Sequence, residues 1–94
     1  MTTSAQLGVA RQSVQLRINQ TKPKVRNLEN LASGGASWNQ IDSGWGQLNT
    51  ELNSQLSELD NLQKQNAGLN GDPGQTRVTT LITKNKVEVT TMQT

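Results

Sequence analysis

The sequence predicts a mainly α fold with a small β tail: a helix, a break, a long coiled-coil helix, then a C-terminal strand or β-hairpin, assembled as a trimer. Three observations carry this expectation. Apolar residues recur at heptad spacing over residues 41–69, Pro23 and the run "ASGGAS" interrupt the helical pattern before it, and residues 76–92 are dominated by Thr, Val and Ile.

Residues 1–31 read as a basic N-terminal helical segment. Leu7, Val14 and Ile18 fall at helical spacing, and Leu28 and Leu31 resume the pattern. Pro23 has no N–H to donate and disfavours helix at Lys22, so a break or kink is expected there. The first 28 residues carry Arg11, Arg17, Lys22, Lys24 and Arg26 and no acid, giving +5. These five cations are the candidates for attachment to a partner. Residues 29–60 hold only acids, giving −5, and the remainder sums to +2. Residues 32–40 then read as a flexible Gly/Ser joint, because adjacent glycines disfavour helix by about 1 kcal/mol each relative to Ala.

Residues 41–70 form the expected coiled-coil helix. Ile41, Leu48, Gln55, Leu62 and Leu69 take position d of the heptad; Trp45, Leu52, Leu59 and Asn66 take position a. Asp42 or Ser43 is placed to cap its start. Residues 71–75 are a turn, since Gly71 accepts the left-handed closing conformation and Pro73 blocks continuation. The amides Gln55 and Asn66 interrupt an otherwise apolar seam. Either the seam simply tolerates a few polar residues, especially near a fraying end, or they form a buried polar layer that fixes register and strand number at some cost in stability. Leu56 widens the stripe beyond a and d, which favours more than two strands or a second helix lying alongside.

Residues 76–94 are the β tail, one strand or two runs about Lys84-Asn85. The composition argues that such a chain associates with itself. Only 31% of its 94 residues are hydrophobic and there are two aromatic side chains, both Trp. Ordering a residue costs about 1.5 kcal/mol, against about 25 cal/mol for each Å² of apolar area buried, so a lone copy looks under-packed. A homotrimer is the expected state. The rival arrangement is an intrachain helical hairpin through "ASGGAS", which brings Arg11 and Arg17 back towards Glu51 and Glu58.

Catalysis finds little to work with. Histidine and cysteine are absent, no Ser–Lys pair stands at a suggestive spacing, and Glu51 and Glu58 form a stripe one heptad apart rather than an acid–base pair. "NGDPG" lacks the alternating acids of a calcium loop, so no cofactor and no metal is expected. The densest basic run, "TKPKVR", has no aromatic residue for stacking bases, which makes nucleic acid the weaker partner. No run is apolar enough to span a bilayer, the basic segment has a thin apolar face, and no signal peptide is expected, so membranes are not a partner.

The Ile41-to-Leu69 heptads, the "NGDPG" stop and the "RVTTLITKNKVEVTTM" tail, with plentiful Asn, Gln and Thr, resemble the small fibrous and decoration proteins of tailed-bacteriophage virions: neck whiskers, head fibres and capsid cement proteins. The resemblance is one of overall pattern. It implies a non-enzymatic structural protein located in the virion, whose partners are sister copies and other virion subunits such as capsid or tail proteins. Secreted helical hairpins of the WXG type are similar in length and two-helix layout. Here Trp38 is followed by Asn39-Gln40 and Trp45 directly by Gly46, so the W-x-G triplet is missing, and the strand-like tail departs from their helical end.

Overall fold

Three helices follow one another along the chain: α1 (Ser4–Ser33), α2 (Trp38–Ala67) and α3 (Gln75–Gln93). They are seen in a computed structural model that describes residues 2–93. α1 opens on a capping box. The Thr3 hydroxyl accepts from the Gln6 N–H, and the Gln6 side chain accepts from the Thr3 N–H at 3.0 Å. The break expected at Pro23 does not occur; α1 runs through it to Ser33. Proline removes one backbone donor, but it sits on the exposed side. Thr21 and Val25 either side of it stay on the packed face, which outweighs the lost bond.

α2 begins three residues earlier than Ile41, and its cap is Ser37 rather than Asp42 or Ser43. Ser37 and Gln40 form a second capping box, so "ASGGAS" is an ordered four-residue turn and not a flexible joint reaching residue 40. Gly35 provides the left-handed residue of that turn at φ +84°. Inside α2, Gly44 lets the two helices approach closely: a Cβ there would lie 2.9 Å from Leu28 Cδ1. α2 stops at Ala67, with Gly68 as its C-cap, ahead of the predicted turn.

The β tail is the main correction. Residues 75–93 are helical, and there is no strand among the described residues. More than half of α3 is β-branched, which favours strand locally by a fraction of a kcal/mol per residue. Tertiary burial overrules that preference. Val78, Ile82, Asn85 and Val89 repeat at intervals of four and three residues and are all buried. The threonine hydroxyls are satisfied within the helix, donating to carbonyls one turn back, Thr80 to Thr76 and Thr83 to Thr79, both at 3.0 Å, at a slight cost to the helix.

The helices form an up-down-up bundle of 53 × 17 × 15 Å, in which α2 runs antiparallel to the other two. The core is Leu7, Val14, Ile18, Leu52, Leu59, Val78, Ile82 and Val89, with Leu56, Leu62, Leu69 and Met92 packed at its margin. Leu52 and Leu59 are completely buried, by helices of their own chain. From Leu48 to Asn66 the seam drawn for sister chains is therefore occupied from within. The intrachain hairpin through "ASGGAS" is the arrangement found, and a third helix from the same chain lies along it.

Candidate docking surface at the open end of the bundle

Polar side chains interrupt the core at three levels, and each meets a partner on another helix. Near the start of α1, Ser4 Oγ donates to Asn66 Oδ1 at 2.8 Å, while Asn66 Nδ2 donates to Thr79 Oγ1 at 2.8 Å and to the Gln75 carbonyl at 3.0 Å. Two turns on, Arg11 Nη1 donates to Asn85 Oδ1 at 2.9 Å. Further along, Gln55 Nε2 donates to Thr21 Oγ1 at 3.0 Å. Gln55 and Asn66 thus join the helices of one chain. With Ser4, Arg11 and Thr21 counted as members, α1 shows an unbroken heptad stripe through Leu7, Val14, Ile18, Val25 and Leu28.

The basic block is spent largely inside the molecule. Arg17 grips Glu58 bidentately, with Nη1 to Oε1 at 2.8 Å; Lys22 meets Glu88 at 2.8 Å and Lys24 meets Glu51 at 2.9 Å. Arg11 is 9% exposed in the core. Of the five attachment candidates Arg11 and Arg26 have no ion pair among the described residues, and of these two only Arg26 is exposed. It lines a groove with Val87, Thr91 and Met92 beside the last turn of α3, where a cation is favoured. The hydrogen bonds from Arg17 and from Lys22 hold the Glu58 and Glu88 carboxyls below their ordinary pKa, and that from Lys86 does the same for Asp60.

One end of the bundle has only two helices. At 1.5 Å per residue α1 and α2 are each about 45 Å long and α3 about 28 Å. α3 ends where the Gln93 side chain donates to Asn49 and Asn53, at 3.0 and 2.8 Å. Beyond that level the α1 and α2 seams continue without a third helix over them. Leu28, Ile41 and Trp45 are half-buried there, whereas Leu31 is 51% and Trp38 78% exposed. Ile41, Trp45 and Leu48 therefore stand apart from the rest of the predicted seam: Leu48 is buried, but the first two remain accessible. Both tryptophans of the chain lie on this stretch. Its α2 half lies on the predicted heptads and its α1 half on Leu28 and Leu31, where the helical pattern resumes after Pro23.

Nothing among the described residues assembles a reactive constellation. No three of His, Cys, Asp and Glu stand together to hold a metal ion, and Glu51, Glu58, Asp60 and Glu88 are each held by a cation. No helix is long and apolar enough to cross a membrane. Comparison with known proteins finds no matching family model, no matching curated protein and no matching solved structure.

Proposed function

We propose that this chain is a non-enzymatic structural protein, a stiff three-helix rod that attaches to a larger assembly by its open end. The observation that carries this reading is the apolar seam of α1 and α2 continuing past Gln93, with Trp38 and Leu31 exposed beside it. Val9, Leu16 and Val87 are exposed singly elsewhere, whereas Leu31 and Trp38 adjoin a seam that is itself uncovered, and a contiguous apolar surface of that kind marks a contact site. The closed seam over residues 52–69 removes the physical motive for zipping with sister chains, so the rod acts as a single-chain unit in place of the expected homotrimer. The setting we propose is a phage virion, as a capsid cement, head-fibre or tail component. Its support is the heptad-and-turn pattern and a surface rich in Asn, Gln and Thr.

The reading is tested on lysate of the source cells separated on a density gradient. The native chain travels with particles of megadalton size, and Trp38→Asp, at a 78% exposed position, shifts it to the slow fraction while helicity and melting stay unchanged. A native chain that sediments alone overturns the reading.

A second reading rests on one specific observation. Trp38 opens α2 directly after the interhelix turn, and the tail is helical, which brings the chain nearer to a WXG-type hairpin than the sequence suggested. The W-x-G triplet is still missing, and α3 covers much of the hairpin face. Export from the source cells separates this reading from the first.

A further inference from the structure

We propose that the open end is a receptor for a basic amphipathic helix, which lies in line with α3 on the exposed continuation of the α1–α2 seam. The inference rests on the open end being a docking surface and names the chemistry of what docks. The argument comes from the register of the flanking positions. On α1, the flank facing α3 carries Lys22, which pairs with Glu88. Seven residues on, the same flank carries Glu29. On α2, the flank facing α3 carries Gln63, which accepts from Lys86, and Asn49, which accepts from Gln93. Seven residues before Asn49 the same flank carries Asp42.

Each side of the uncovered seam is thus edged by a carboxylate. Glu29 and Asp42 are both exposed, and neither has an ion pair or side-chain hydrogen bond among the described residues. α3 shows how this bundle treats such positions: flanking Lys86 is drawn onto Asp60 and flanking Glu88 onto Lys22. An incoming helix matching Glu29 and Asp42 presents Lys or Arg on both flanks and Leu, Ile or Met between them. Between Trp38 and Asn49 it finds a track of about 17 Å, or three turns. Tryptophan is the residue type most often found to dominate such contacts.

A second copy docking through the same end is the poorer occupant. Two such ends would bring Glu29 and Asp42 of both copies together, and the one nearby unpaired cation, Arg26, shares its groove with Glu29 and Glu88 and so offsets only part of that charge. Like charges across a contact select against that pairing.

The full-length chain is titrated with two synthetic peptides of three heptads. Both carry Leu at a and d; one carries Lys and the other Glu at both flanks, so like-charge repulsion keeps either from pairing with itself. Trp38 and Trp45 are the only tryptophans in the sequence and both lie at the open end, so their fluorescence reports occupation directly. The expected result is saturable binding of the Lys peptide, about tenfold tighter than the Glu peptide at low salt and converging with it as salt rises. Glu29→Lys combined with Asp42→Lys, two exposed changes whose folding is checked by melting, inverts the preference. Equal affinities, or a tighter Glu peptide, overturn the basic-helix proposal and leave the docking reading standing. Neither peptide binding, with concentration-dependent dimerisation that alters Trp38 emission, identifies a second copy as the occupant and overturns the proposal. Neither peptide binding and no dimer overturns both.

Discussion

Arg11 and Asn85 meet inside the core across 74 residues of sequence, guanidinium Nη1 to amide Oδ1 at 2.9 Å. The charge does not end at the amide: Asn85 Nδ2 donates onward to Glu88 and to Gln15, and Glu88 carries the Lys22 ion pair. A buried cation is thereby connected to a surface carboxylate through a neutral side chain. Asn85→Ala leaves the guanidinium without its one described acceptor, at a cost of about 2–3 kcal/mol. Arg11→Leu with Asn85→Leu restores stability to at least the native level, because both members of this buried polar pair are then replaced by apolar side chains. Urea unfolding of the singles and the double measures this. Additive losses in the double variant would refute the coupling.

Leu52→Ala and Leu59→Ala each remove a fully buried side chain from the core and cost about 2–5 kcal/mol. The loss is one of folding within a single chain. Melting temperatures of native chain and variants are therefore independent of protein concentration over two decades; a midpoint that climbs with concentration would restore the intermolecular seam.

Gly46→Ala stabilises the chain. The position lies inside α2, and a Cβ there meets nothing within 4 Å. The gain is the helix preference of alanine over glycine, about 0.5–1 kcal/mol. Thermal or urea unfolding reads it as a higher midpoint with an unchanged slope.

Acid weakens the bundle through Glu58 and Glu88. Both carboxyls have a folded pKa below their unfolded value, so their stabilisation is complete above the ordinary glutamate pKa of about 4.3 and is lost as pH falls through the folded value. With no histidine in the chain, the urea midpoint is flat from about pH 6 to 9 and drops below about pH 4.5. Glu58→Gln and Glu88→Gln each make the acid drop shallower; an unchanged profile in both would dissociate the ion pairs from stability.

The helical class and α2 were legible because Leu48, Leu52, Leu59 and Leu62 are both good helix formers and periodic. The charge blocks suggested the hairpin only as the rival to a trimer, with Arg11 and Arg17 near Glu51 and Glu58; Arg17 does meet Glu58, but Arg11 meets Asn85 and it is Lys24 that pairs with Glu51. α3 was not legible by composition, since Val78, Ile82 and Val89 report strand preference although their spacing is heptad-like. In α1 the stripe was masked by its own polar members, Ser4, Arg11 and Thr21. Their role becomes clear only once Asn66, Asn85 and Gln55 are found opposite. The open end escaped notice for a related reason: it depends on where α3 stops, and that is fixed by tertiary pairing.

The Arg11–Asn85 contact also acts as a length gauge. α1 and α3 run side by side in the same direction, and the heptad would allow α3 to slide one repeat towards the open end and cover more of it. That slide would set Val78 against the guanidinium and pull Glu88 away from Lys22. The polar pair thus holds the shorter helix back, and the accessible stretch of seam owes its extent to a residue several turns distant from it.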